Sequence, residues 1–295
     1  MSEPAIEINR LTKRFGSLVA VNNLDLTIPT GSVYGFLGRN GAGKTTTIRM
    51  LLGLASPTSG SVSVLGMNPK KDARSIKAQV GYVAEGQSMY GWMKVKELIK
   101  FTAGFYKKNW DPSIASSFCE RFELNPSSRI KNLSKGQQMR LALTLALAPR
   151  PRLLILDDPT MGLDPITRKE FLNDIVLAIQ EEGKTVFFST HILSELERVA
   201  DSIAIIDRGK LKVSGEIDKL KTSIRTIRMT FDDAAPSNVM VDGLLRVQGN
   251  GRDCLVTLTD FTEDKLDFLQ QEYNPSSLEP KRVSLDEIFE AYVLG

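Results

Sequence analysis

The run Gly38-Arg39-Asn40-Gly41-Ala42-Gly43-Lys44-Thr45 fits the pattern GxxxxGK[ST]. It stands between a strand-like stretch, Ser32 to Leu37, and helix-spaced apolar residues from Thr46 to Leu54. A strand that turns into a helix through glycines leaves several backbone N–H groups pointing at one place, where an oligophosphate fits. In that arrangement Gly38, Asn40, Gly41, Ala42, Gly43 and Thr46 surround phosphate oxygens, Lys44 reaches the β and γ positions, and the Thr45 hydroxyl is placed to hold Mg2+. The expectation is an α/β chain that binds a nucleoside triphosphate.

Bulk properties narrow the rest. The 295 residues, 42% hydrophobic and 25% charged, suffice for one large or two ordinary globular domains. With 38 basic against 35 acidic side chains the net charge is only +3, so no nucleic-acid partner is expected. Cys119 and Cys254 lack CxxC or Cys/His spacing, which argues against a zinc site or a disulfide framework and fits a reducing cytoplasm. The most apolar run, Leu141 to Ala148, falls far short of the roughly 20 residues that span a bilayer, and the N-terminus has no charged-then-apolar export signal. Any membrane role is expected to run through another chain.

Along the chain, Ala5 to Val33 alternates apolar and polar residues around a turn at Arg14 to Ser17, which predicts a small antiparallel layer. Leu153 to Leu156 and Thr185 to Phe188 read as strands buried on both faces of a parallel sheet, each followed by polar residues at the end where ligands bind. Lys94 to Ala148 reads as helical, with breaks at Asp111-Pro112 and from Asn125 to Ser128. Ser202 to Asp207, the Arg208-Gly209 turn and Lys210 to Ser214 predict a hairpin, and Asp218 to Thr222 a polar connection, with a boundary near 220. Beyond it, strands are expected near Ile224–Phe231, Leu244–Gln248 and Cys254–Thr259, and helices near Glu263–Gln271 and Leu285–Val293.

Four further segments narrow the class: Leu133-Ser134-Lys135-Gly136-Gln137, Leu153 to Asp158, Met161-Gly162-Leu163-Asp164 and Ser189-Thr190-His191. In that order they resemble the signature, Walker B, D-loop and switch-histidine elements of ABC-type ATPases, over roughly residues 5 to 220. The run Asn132 to Arg140 and the C-terminal extension are similar to the separate ATP-binding subunits of bacterial ABC exporters, including drug-exporter and YtrB-like groups. The resemblance implies a P-loop NTPase core of ABC type over residues 1–220, with an N-terminal antiparallel β layer and a helical insert at about 86–150. A small α/β accessory domain would cover 221–295.

It also implies ATP and Mg2+ as cofactors, and a homodimer or a pair with a homologous ATPase subunit. Separate transmembrane permease subunits would be partners at the cytoplasmic face of the membrane, with export as the work done. Two alternatives stay open at this point: a regulatory ATP-binding module with negligible turnover, and a soluble ABC-type ATPase acting on DNA or ribosomes.

By the same resemblance Phe15, in Lys13-Arg14-Phe15-Gly16, stacks on adenine, and Asp157 joins Thr45 at the magnesium. Asp158 and His191 handle the attacking water, while Ser134, Gly136, Gln137 and Asp164 complete a partner's nucleotide site. Ser134 with Gln137 is equally a capping box that starts the helix through Ala148. Two departures stand out: Lys135 replaces the usual glycine, and Asp158 replaces the usual glutamate with one methylene less. The glutamine-loop position is shared between Glu85 and Gln87. The cluster Met89 to Met93, with Tyr90 and Trp92, either docks a membrane partner or packs on the helical insert.

Overall fold

The structure, a computed structural model, describes residues 3–106, 109–180, 184–236 and 238–295. The chain divides into two compact units between Leu211 and Lys212. The division falls within one continuous strand, Lys210–Glu216, ahead of the expected boundary near 220.

In the first unit, β1 (Ile6–Phe15) and β2 (Leu18–Ile28) form an antiparallel hairpin with Ile6 opposite Ile28 and Phe15 opposite Leu18. The strand β3 (Val33–Leu37) then leads through the glycine loop into α1 (Lys44–Leu51), and β4 (Ser59–Val64) returns to pair with the other side of β1. After α2 (Ala73–Lys77) come β5 (Val80–Val83) and the α-helices α3 (Val95–Tyr106), α4 (Pro112–Arg121) and α5 (Lys135–Leu147). The expected break at Asp111-Pro112 is the start of α4, where the Asp111 carboxylate accepts from the N–H groups of Ser113 and Ile114. Pro112, which has no N–H to lose, occupies the first turn.

The remaining core elements are β6 (Leu153–Asp157), α6 (Pro165–Gln180), β7 (Thr185–Thr190), α7 (Leu193–Val199) and β8 (Ser202–Asp207). They build a parallel sheet in the order β5-β6-β7-β3-β8. Every residue of β3, β6 and β7 is buried, which is why these strands read as continuous apolar runs rather than alternating ones. Phe36 and Phe187 meet in the core with ring centroids 5.2 Å apart. The order places the ends of β3, β6 and β7 side by side, so that the phosphate loop, Asp157 and Thr190 emerge at one edge.

The strand β9 (Lys210–Glu216) carries the chain into the second unit, whose first helix is α8 (Ile217–Ser223). The expected polar connection at 218–222 is therefore helical. Ile217, Leu220 and Ile224 are buried at helical spacing, and the polar residues between them form the outer face. The unit's sheet runs β11 (Leu244–Asn250), β12 (Asp253–Leu258), β10 (Arg225–Thr230) and β13 (Ser277–Arg282), all antiparallel. Its core is Ile227, Met229, Cys254, Val256 and Leu258, together with Leu269 of α9 (Glu263–Tyr273). The last helix, α10 (Leu285–Leu294), starts on a capping box of Ser284 and Glu287. Both cysteines are buried free thiols. Among the described residues no helix is long and apolar enough to cross a membrane.

Candidate active site

The glycine loop takes backbone angles that side chains rarely adopt. Gly43 has φ 107°, and a Cβ there would run into the carbonyl oxygen of Ala20. Gly41, at φ 81°, has open space where its Cβ would be, which leaves a hollow beside the loop. No side chain caps α1, so its first N–H groups remain available to an anion. Lys44 is buried at the bottom, its Nζ donating to Gly38 O at 2.7 Å and Arg39 O at 3.3 Å, with Asp158 Oδ2 at 4.0 Å. Burial pushes the Lys44 ammonium below its usual range, against the pull of Asp158, Asp157 and Glu85.

This floor belongs to a cavity of about 600 Å³ whose walls include Phe15, Asn40 to Thr46, Glu85, Asp158 and Arg208. Phe15 lies 53% exposed at its rim, with Lys13 Nζ 4.9 Å from the ring centroid. A flat ring so placed offers a face for a nucleobase. The sequence reading missed Arg208, which it treated only as part of a hairpin turn.

Asp157 ends β6 almost wholly buried. Its Oδ1 accepts from Ser189 Oγ at 2.7 Å and lies 3.3 Å from Thr45 Oγ1, while its Oδ2 has no hydrogen-bond partner among the described residues. Burial raises the Asp157 carboxyl above the ordinary carboxylate range. A buried oxygen without a partner beside a threonine hydroxyl, next to a phosphate hollow, suits a hard cation that takes its other ligands from phosphate and water. The residues present fit Mg2+.

Asp158 follows at φ 45°, a left-handed conformation that aspartate tolerates better than most side chains. Its N–H is held by Ser189, through the carbonyl at 3.0 Å and the hydroxyl at 3.1 Å. Its carboxylate meets His191 Nδ1 at 3.0 and 3.1 Å. With the Asp158 carboxylate able only to accept, Nδ1 is the nitrogen that donates in this pair.

The structure separates the two glutamine-loop candidates. Glu85 lines the cavity; Gln87 does not, because its Oε1 turns back to the Ala84 N–H at 3.4 Å. Ser134, Gly136, Gln137 and Asp164 are likewise outside the cavity walls. Ser134 and Gln137 cap α5 reciprocally, at 3.2 and 3.1 Å. Asp164 caps α6 through the N–H groups of Ile166 and Thr167 and the Thr167 hydroxyl, whose bond holds the carboxyl below its usual range.

The family described as ABC transporter matches residues 21–161. The bacitracin transport ATP-binding protein BcrA of Bacillus licheniformis is 36% identical, covering 95% of this chain and 96% of its own. The ABC transporter ATP-binding protein YtrB of Bacillus subtilis (strain 168) is 29% identical over 96% of each chain. A solved structure described as an ATP binding subunit of an ABC transporter superposes with TM-score 0.65 at 25% identity, covering 74% of this chain and 92% of the other. The chain belongs to the ABC transporter family, as one of its ATP-binding proteins.

Proposed function

We propose that this chain is a motor subunit in which two copies, or one copy and a homologous subunit, close around Mg·ATP and drive separate membrane-spanning subunits, exporting a solute. The observation that carries this reading is the half-built site. The cavity supplies the phosphate loop and Asp158, with Asp157 behind it 3.3 Å from Thr45 Oγ1, whereas Ser134 and Gly136, at the N-terminus of the 13-residue α5, lie outside it with Ser134 exposed. A second chain that brings this helix start over the γ-phosphate would supply the missing half. Lys44 neutralises the β and γ oxygens, Phe15 stacks on adenine, and Asp158 takes a proton from the attacking water while His191 Nε2 faces it. Thr45 and Asp157 would hold Mg2+, which would supply neutralisation of phosphate charge. The names of BcrA and YtrB as transporter proteins support this reading over the regulatory and DNA- or ribosome-directed alternatives.

The membrane partner would dock on an aromatic ridge of the helical insert. Tyr90, Trp92, Phe101 and Phe105 form a chain with centroids 5.1–6.1 Å apart, and Trp92 and Phe105 are 68% and 71% exposed. Beside it lies a groove of about 450 Å³ between Leu52, Tyr82, Leu98 and Ala146. An exposed aromatic ridge beside a groove supports a protein interface here, with a short helix from a permease as its occupant. Native pull-down from membranes tests the assignment: the wild type is expected to carry a multi-span protein, and a Trp92→Ala/Phe105→Ala double variant to lose it while keeping ATP affinity. Capture of ribosomes or DNA-bound proteins in place of a multi-span protein would refute the transport reading.

A further inference from the structure

Glu195 is a carboxylate that the reaction described above does not use, yet it is 1% exposed in the core beneath the site. A buried carboxylate is stable only with partners, and those of Glu195 come from three separate segments. Thr160 Oγ1, two residues beyond Asp158, donates to Oε1 at 2.5 Å. Thr190 Oγ1, the residue before His191, donates to Oε2 at 2.7 Å and itself accepts the Ile192 N–H at 3.0 Å. Arg168, on α6, brings its Nε to 3.5 Å from Oε1 and uses its Nη2 on the carbonyl of Leu163, next to Asp164.

The two oxygens of one side chain thus bridge the segment that carries Asp158 to the segment that carries His191. The 3.0 Å contact between those two depends on both backbones staying in place. Burial raises the Glu195 carboxyl, while the Thr160 and Thr190 hydroxyls and Arg168 lower it and Asp158 raises it. The Arg168 Nε has no hydrogen-bond partner among the described residues, and the Glu195 carboxylate 3.5 Å away offsets its charge.

We infer that Glu195 is a positioning residue for ATP hydrolysis, clamping Thr160 to Thr190 so that Asp158 and His191 stay at hydrogen-bonding distance. The inference rests on the proposed water-handling roles of Asp158 and His191. Loosening the clamp displaces the reacting groups without touching the nucleotide, and a misplacement of about 1 Å costs on the order of 10²-fold in rate.

The test compares Glu195→Gln and Thr160→Val in the full chain, each alone and combined with His191→Ala, by steady-state ATPase kinetics with melting curves alongside. The expected result is a kcat roughly 10- to 100-fold lower for either variant, with KM for ATP unchanged. In the His191→Ala background the same changes are expected to alter kcat less than about twofold, since the pair they align is already broken. Equal losses in both backgrounds, a change confined to KM, or an unchanged kcat would overturn the inference. If Glu195→Gln fails to fold, Thr160→Val, which keeps the buried charge, decides the question alone. A wild type without turnover, or one indifferent to His191→Ala, would instead sink the underlying assignment.

Discussion

Lys44→Ala is expected to abolish measurable ATP binding and, with it, hydrolysis. The Lys44 ammonium sits at the bottom of the phosphate hollow, within reach of Asp158 and near Asp157. Without it, the triphosphate would approach two carboxylates with one cation fewer between them. Charge-assisted hydrogen bonds contribute about 1.5–3 kcal/mol each, so losing contacts to two phosphate groups corresponds to roughly 10²- to 10⁴-fold in Kd. The loop itself should survive, because Gly41, Gly43 and the start of α1 keep their backbone conformations without the lysine. Titration calorimetry with Mg·ATP, paired with circular dichroism, measures this. Affinity within a few fold of wild type would contradict the phosphate-loop assignment.

Asp158→Glu is expected to speed the chemical step, by up to about 10²-fold or 2.7 kcal/mol in the barrier. The Asp158 carboxylate is tied to His191 at 3.0 Å and sits 4.0 Å from Lys44, on the shorter of the two acidic side chains. One more methylene extends it toward the γ-phosphate, where the attacking water must stand. The left-handed backbone at this position suits aspartate better than glutamate, so the gain in rate should come with a small loss in melting temperature. Asp158→Asn keeps the shape and removes the base. Single-turnover rates are expected in the order Glu, Asp, Asn. A wild type no faster than the asparagine form would exclude a base role, and a glutamate form no faster than wild type would refute the geometric argument.

Local chemistry was legible in the sequence where one short segment carries all of it. The glycine loop, the capping box at Ser134 and the buried strands β6 and β7 each declare themselves within a few residues. Harder to read were elements whose sequence signal is diluted by their surroundings. The edge strand β13 contains Pro280 and charged residues, as unpaired edges often do, and shows no apolar alternation. The helix α8 hid behind the polar residues of its outer face.

Within the site, Glu85 lines the cavity while the Gln87 side chain turns back to the Ala84 N–H, a difference in placement that no spacing predicts. Glu195 left no trace because its partners, Thr160, Arg168 and Thr190, lie in segments that only the parallel sheet and its flanking helices bring together. The fully buried carboxylate is a tertiary fact.

Enclosure of the nucleotide by two chains is the central requirement of the proposed function. Light scattering on the Asp158→Asn protein, with and without saturating Mg·ATP, measures that directly, because blocking hydrolysis preserves the closed form. Twice the monomer mass with nucleotide, falling back to the monomer when Ser134→Arg is added, is the predicted outcome. Monomer mass at saturating Mg·ATP, even with the membrane partner present, would contradict it.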